Sequence, residues 1–154
     1  PGLHAWALSC PVAGIPQRAA PGPGPESGPH PNGVLGVDHV VVATTSLEDT
    51  TRALVDAGCE VRGERHARIG GHEIVQRFLP VTGALIELVS AAEPGEPMAG
   101  AAFWGVTFVV ADPDAVAAGV GPARDAVQQG RRIAVAAPRA ALGTRVAFIS
   151  PRRG

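Results

Sequence analysis

The sequence lacks tyrosine altogether and has only two cysteines and few charged residues, and each shortage excludes a class of protein. Cys10 and Cys59 lie in very different contexts, so they form neither a disulfide framework nor a cysteine-type zinc site. Without tyrosine, an aromatic platform for stacked bases is not expected. Charged residues make up 18% of the chain and the formal net charge is -1, which is not the clustered basic excess of a nucleic-acid-binding protein. We therefore expect no nucleic-acid partner.

Long hydrophobic runs are also missing. No apolar run approaches the ~18 residues that a membrane-spanning helix needs. The N-terminus shows no basic region followed by an apolar core, so no secretory signal is expected. These observations predict no membrane partner and, with so few cysteines, a reducing cytoplasm as the location of the protein.

The N-terminal part differs in composition from the rest. Residues 11–33 contain seven prolines and five glycines and few large apolar side chains, which predicts an extended or mobile linker. Before it, residues 3–10 alternate loosely between apolar and polar and could form a short strand. We therefore divide the chain into an N-terminal segment, 1–33, and a folded domain, 34–154.

Residues 34–91 predict one β-α-β-β-β module. Ser46 offers a helix N-cap, with an acidic residue three positions later, and Gly58 ends that helix. Two strand-like runs flank Gly70-Gly71, a hairpin turn signal. The run ALIELVS closes the module as its last strand.

The same pattern begins again over residues 101–151, after a short linker. A strand leads into a helix with Asp112 as its N-cap and Pro113 at its first position, and two or three shorter strands follow. Residues 39–44 and 107–112 share Val-Val-Ala, which suggests an internal repeat with a spacing of 68 residues. Two such modules side by side would bury apolar surface that neither module buries alone.

A histidine and a glutamate, His39 and Glu87, stand where packing alone would favour Val or Leu. Asp38 and His39 open a β-branched strand, and Glu87 lies inside an apolar one. By strand alternation His39 shares a face with Val41, and Glu87 with Val89. A buried carboxylate is costly unless it is paired or bound to a cation, and imidazole and carboxylate both bind Zn²⁺, Mn²⁺, Fe²⁺ or Ni²⁺. The two side chains are candidate metal ligands; half-exposed structural residues are the alternative.

The stretch VDHVVVATTSLEDT, followed by RFLPVTGALIELVS, resembles the vicinal oxygen chelate superfamily. That superfamily includes glyoxalase I, extradiol dioxygenases, methylmalonyl-CoA epimerase and the bleomycin-resistance proteins. Within it the chain is most similar to glyoxalase-like proteins of actinobacterial type. The resemblance implies an α+β fold in which two tandem βαβββ modules form a curved mixed sheet around a cleft, with the helices outside.

The resemblance also implies a metal between the modules, with a ligand from the first and the last strand of each. His39 matches the first-strand histidine and Glu87 the last-strand glutamate, which is also the candidate catalytic base. In the second module Thr107 stands in place of the second histidine, and Ala147 or a neighbour in place of the second acid. The expected cofactor is therefore Zn, Mn, Ni or Fe held by two of four ligands, or no metal at all.

Two functions on small molecules remain open, beside a third interpretation in which the domain is a degenerate scaffold that binds only protein partners and side chains fill the cleft at His39 and Glu87. One is a metal-assisted lyase, isomerase or dioxygenase acting on a small oxygen-bearing molecule, in which Glu87 moves a proton. The other is a metal-free protein of the bleomycin-resistance type that sequesters a small molecule. A homodimer is an open alternative in either case. Five aromatic residues either line the cleft or belong to the core: Phe78, Phe103, Trp104, Phe108 and Phe148.

Arg131 and Arg132 stand before an apolar strand. They could bind an anionic group of a substrate, such as a carboxylate or a CoA phosphate. They could equally be strand-edge charges that discourage aggregation, and we favour this second interpretation. We expect Arg124 and Asp125 to pair locally.

Overall fold

The computed structural model describes residues 33–69, 71–81, 83–90, 100–137 and 144–152. Apart from Gly33, the predicted N-terminal segment with its short strand and linker lies outside the described residues. The described elements are β1 (Val34–Thr44), α1 (Leu47–Asp56), β2 (Gly63–Ile69), β3 (His72–Val81), β4 (Ala84–Ser90), β5 (Ala101–Val110), α2 (Pro113–Val120), β6 (Arg124–Asp125), β7 (Arg132–Val135) and β8 (Arg145–Ile149).

The element order is β-α-β-β-β twice, which confirms the two predicted tandem modules. Strands pair both in parallel and antiparallel, so the chain has an α+β fold with mixed sheet pairing. Neither of the described helices is long and apolar enough to cross a membrane. The boundary between the N-terminal segment and the domain stays a prediction.

By its internal contacts the chain divides into two compact units, which we describe separately. Among the described residues, the first unit comprises 40–104 and the second comprises 33–39 together with 105–152. The strands β1 and β5 each contribute residues to both units.

In the first unit the strand order is β2-β3-β4-β1. β2 and β3 form an antiparallel hairpin in which Ile69 is in register with His72, so the chain turns between these two residues, as predicted. Gly71 has a φ of 87°, which a side chain would disfavour, and this explains the glycine at the turn. The same register places His66 opposite Val75 rather than near His72.

The helix α1 begins after Ser46 and ends at Asp56, shortly before Gly58, as predicted, but its cap differs from a capping box. The Ser46 hydroxyl donates to Asp49 Oδ2 at 2.6 Å and makes no hydrogen bond to a helix N–H. The Ser46 N–H itself donates to Thr44 Oγ1 at 3.1 Å. At the other end, the Gly58 N–H donates to the Val55 carbonyl at 2.9 Å, and a φ of 91° turns the chain away.

The core of the first unit divides between two faces, as strand alternation predicts. Leu54 of α1 is fully buried in a cluster with Val42 and Leu88. A second cluster contains Val41 and Val89, with Trp104 packed against it. These clusters bear out the predicted side-chain directions on β1 and β4.

In the second unit the strand order is β1-β5-β8-β7-β6. β5 and β8 run parallel with Thr107 in register with Ala147, while β7 is antiparallel to β8. The helix α2 begins at Pro113, and Asp112 Oδ1 accepts the Asp114 N–H at 2.9 Å, which confirms the predicted N-cap.

Candidate functional site

His39 is a buried residue near the middle of β1, in the second unit. Its Nδ1 atom lies 2.8 Å from Asp38 Oδ2, and its Nε2 atom lies 2.9 Å from Thr107 Oγ1. An ionised carboxylate can only accept a hydrogen bond, so Nδ1 carries the ring proton and donates it to Asp38. In the neutral imidazole Nε2 then accepts a hydrogen bond from the Thr107 hydroxyl.

Asp38 is the group that fixes this arrangement, and its own side chain is only 6% exposed. Arg131 Nη2 donates to Asp38 Oδ1 at 2.6 Å. The hydrogen bond from His39, followed by that from Arg131, lowers the pKa of Asp38 to about 2 although burial acts in the opposite direction. Asp38 is therefore a carboxylate at neutral pH.

Arg131 corrects a prediction, because it is not a strand-edge charge. Its side chain is 3% exposed, and its Nε atom donates to the Ser150 carbonyl at 2.7 Å. Arg132, one residue later, does lie at the surface. It pairs with Asp114 at 2.6 Å and with Asp125 at 3.4 Å, so Asp125 has Arg132 as an ion-pair partner.

Thr107 is the residue that replaces the second histidine expected from the resemblance. It is buried, and its hydroxyl occupies the position beside His39 Nε2. The two residues are 68 positions apart, so the hydrogen bond joins equivalent positions of the two modules. Ala147, in register with Thr107 on β8, offers only a methyl group where an acid is expected.

Glu87 lies on β4 in the first unit and is half-buried. Gln76 on β3 donates from its side-chain amide to Glu87 Oε1. Arg65 Nε in turn donates to Gln76 Oε1 at 2.8 Å, and the Arg65 guanidinium lies 5.5 Å from the centre of the Phe78 ring. Because His39 belongs to the second unit, its participation with Glu87 in one site stays a prediction.

The side chains of the second unit do not fit the four-ligand metal site that the resemblance implies. β5 and β8 contribute a hydroxyl and a methyl group at Thr107 and Ala147 instead of imidazole and carboxylate. Over the described parts of the chain, no group of three or more His, Cys, Asp and Glu could hold a metal ion. The divalent cation therefore stays a prediction.

The aromatic residues have protein neighbours within their own units. Phe103 packs against the Leu54 cluster and Trp104 against the Val41 cluster. Phe108 and Phe148 are in register on β5 and β8, with ring centroids 6.1 Å apart. These contacts agree with the core role, one of the two alternatives that the sequence left open.

Sequence reasoning missed the connections of Asp38 and Arg131. Asp38 was conspicuous only as a polar residue beside His39 at the start of a strand. Nothing in the sequence links it to Arg131, which is 93 positions away. Gln76, the partner of Glu87, gave no signal either.

The two βαβββ modules define a glyoxalase-like class of fold, and comparison with solved structures agrees with it. Methylmalonyl-CoA epimerase from Mycobacterium tuberculosis is 20% identical with a TM-score of 0.58, over 79% of this chain and 91% of that one. A variant of the Streptomyces coelicolor methylmalonyl-CoA epimerase, in complex with 2-nitronate-propionyl-CoA, is 19% identical with a TM-score of 0.58, over 78% and 99% of the two chains.

A hypothetical protein from Bacillus halodurans C-125 is 19% identical with a TM-score of 0.57, over 77% of this chain and 95% of that one. At these identities the likeness shows the fold alone. The chain has the fold of the vicinal oxygen chelate superfamily, as the resemblance predicted. Comparisons with protein-family models and with curated proteins found no match.

Proposed function

We propose that the protein acts on a small molecule bearing a carbonyl oxygen, and that His39 moves a proton in the reaction. The observation that carries this proposal is the hydrogen-bond chain from Asp38 through His39 to Thr107. An imidazole held by a carboxylate on one nitrogen, with an exchangeable hydroxyl on the other, suits general acid–base catalysis. The reaction class that this arrangement supports is isomerisation by proton transfer next to a carbonyl group.

The substrate class that we propose is an acyl-CoA thioester. Support comes from the fold neighbours, which include methylmalonyl-CoA epimerases, several of them in complex with 2-nitronate-propionyl-CoA. In the proposed reaction, His39 Nε2 takes the proton from the carbon next to the thioester carbonyl, and the C–H electron pair passes into the enolate. Return of a proton to the opposite face of that carbon completes the epimerisation with no net change in atoms.

The other groups have narrower roles in this proposal. Asp38 stays ionised and stabilises the imidazolium that forms when His39 accepts the proton. The Thr107 hydroxyl gives way to the substrate at Nε2. Glu87, which the sequence predicts as the catalytic base, is assigned in this proposal to the return of the proton. No step is assigned to a divalent cation, because the residues on β5 and β8 do not supply its ligands.

Deuterium exchange tests the proposal directly. The protein is incubated with propionyl-CoA or methylmalonyl-CoA in D₂O, and deuterium at the carbon next to the carbonyl is measured by mass spectrometry. We expect exchange by the wild type and a loss of about 10²–10⁴-fold in His39→Gln, the usual contribution of a general acid–base group. His66→Gln, which changes an exposed histidine of the hairpin, is the matched control and should exchange like the wild type.

A metal-free binding protein is the second candidate, and Thr107 with Ala147 is the observation that favours it. Calorimetric binding of a thioester without any deuterium exchange would support this candidate and contradict the catalytic proposal. Exchange that His39→Gln leaves unchanged would contradict the role given to His39.

A further inference from the structure

We infer that Arg131 is a positioning residue for His39. Acting through Asp38, it holds the imidazole in the tautomer that carries its proton on Nδ1 and its lone pair on Nε2. The use of that lone pair rests on the proposed function, but the tautomer can be observed without any substrate.

Arg131 is anchored by contacts that do not involve Asp38. Its side-chain Nε donates to the Ser150 carbonyl at 2.7 Å. Its backbone N–H donates to the Gln128 carbonyl at 3.1 Å, and its own carbonyl accepts the Ala126 N–H at 2.9 Å. Arg131 is thus held through its backbone and through its Nε atom, and its Nη2 atom is directed at Asp38.

Stability alone does not explain a buried arginine at this position. Arg131 Nη1 is buried and has no hydrogen-bond partner among the described residues. An apolar pair of similar volume often replaces a buried ion pair without loss of stability. The arrangement is better explained by the direction that it imposes on the Asp38 carboxylate.

That direction follows from the way the two carboxylate oxygens are used. Oδ1 accepts from Arg131 Nη2 at 2.6 Å, and Oδ2 accepts from His39 Nδ1 at 2.8 Å. With Oδ1 fixed by an anchored guanidinium, the carboxylate cannot rotate away and Oδ2 stays aimed at the ring. The hydrogen-bond partner of one imidazole nitrogen selects the tautomer. Because Arg131 fixes Asp38, which is that partner, Arg131 selects the tautomer indirectly.

The first experiment measures the tautomer in the wild-type protein. Long-range ¹H–¹⁵N correlation spectra of uniformly ¹⁵N-labelled protein, at a pH where imidazoles are neutral, distinguish the two tautomers. His39→Gln assigns the His39 signals. We expect His39 to carry its proton on Nδ1, whereas the exposed His66 and His72 serve as internal references for solvated rings. A His39 ring that carries its proton on Nε2 would overturn the inference at once.

The second experiment compares two adjacent arginines. Arg131→Gln removes the guanidinium that holds Asp38, and we expect the His39 signals to shift towards the Nε2–H tautomer or a mixture. Arg132→Gln makes the same charge change one residue away, at the exposed side chain, and should leave the His39 signals where they are. Full retention of the Nδ1–H tautomer in folded Arg131→Gln would show that Arg131 does not position His39.

A change of tautomer must be distinguished from a loss of folding and from a failure of the proposed function. Backbone amide spectra establish that each variant is folded; if Arg131→Gln does not fold, Arg131→Lys takes its place and is judged by the same criterion. Lysine keeps the charge, but its single ammonium group cannot reproduce the forked contacts to Ser150 and Asp38. Failure of thioester exchange with the expected tautomer would contradict the proposed function alone. Exchange with the wrong tautomer would contradict this inference and the role given to Nε2, but not the proposed reaction class.

Discussion

Thr107 determines which chemistry is open to His39. Its hydroxyl lies 2.9 Å from His39 Nε2, the nitrogen that a metal ion would need. A neutral hydroxyl is a poorer ligand for a divalent transition metal than an imidazole, whereas it readily exchanges a hydrogen bond with an incoming ligand. Asp38, which is hydrogen-bonded to His39 Nδ1, is compatible with both metal binding and catalysis, because carboxylates orient metal-binding and catalytic histidines alike.

Metal binding is therefore the first prediction at this scale. We expect the wild type, incubated with Zn²⁺, Mn²⁺, Ni²⁺ or Fe²⁺ and then dialysed, to retain no stoichiometric metal. The reason is that Thr107 and Ala147 supply neither imidazole nor carboxylate. Metal content by mass spectrometry and the change in Tm are the measurements, with His39→Gln as the control. One equivalent of metal in the wild type, absent from His39→Gln, would restore the metalloenzyme interpretation.

The site was predictable only where its signal was local. His39 and Glu87 stood out because each interrupts an apolar strand, and the repeat identified Thr107 as the counterpart of His39. Whether Arg131 or Arg132 turns inward depends on where β7 begins and on a carboxylate far away in the chain. Neither fact is readable from a pair of consecutive arginines.

The elements themselves were more predictable than their contacts. The β2–β3 turn between Ile69 and His72 and the α2 N-cap at Asp112 depend on neighbouring residues, and both are as predicted. The cap of α1 departs from prediction because the Ser46 hydroxyl is used by Asp49 while Thr44 accepts the Ser46 N–H. Several neighbouring side chains with oxygen atoms can make the same hydrogen bonds at this helix start, and a rule based on spacing does not predict which of them does so.

Close strand packing predicts an unequal effect of two glycine substitutions. A Cβ on Gly105 of β5 would lie 3.0 Å from the Arg145 carbonyl oxygen and 3.2 Å from the Arg145 Cβ. Arg145 is the register partner of Gly105 on β8, so the parallel pairing would have to widen. We expect Gly105→Ala to lower the free energy of unfolding by about 1–3 kcal/mol, the usual cost of overpacking.

Gly36→Ala is the control for this change. It adds the same methyl group to β1, where a Cβ would have no neighbour within 4 Å and the backbone needs no positive φ. Urea denaturation measures both variants, and we expect Gly36→Ala to equal or exceed the wild type in stability. Equal stability of both variants would mean that β5 and β8 approach less closely than the structure shows.

At the scale of the whole molecule, a few ionised pairs link elements distant in sequence. Within the first unit, Arg77 on β3 donates to Glu48 of α1 and to Glu64 of β2. These contacts raise the pKa of Arg77 and, through Arg77, lower that of the exposed Glu48. Exposed pairs contribute little to stability, so the buried Asp38–Arg131 pair should dominate the response of the fold to acid.

Acid titration tests this ranking. The pKa of Asp38 falls from 3.8 to about 2 on folding, so its contribution is present above about pH 4 and is lost as the pH drops towards 2. A shift of this size corresponds to about 2 kcal/mol in the free energy of unfolding. Denaturant unfolding is measured at several pH values from about 5 to about 2, the range over which the contribution of Asp38 is lost. The free energy of unfolding should fall more steeply with decreasing pH for the wild type than for Asp38→Asn. Parallel curves for the two proteins would mean that the contacts with His39 and Arg131 do not lower the pKa of Asp38, and would contradict this ranking.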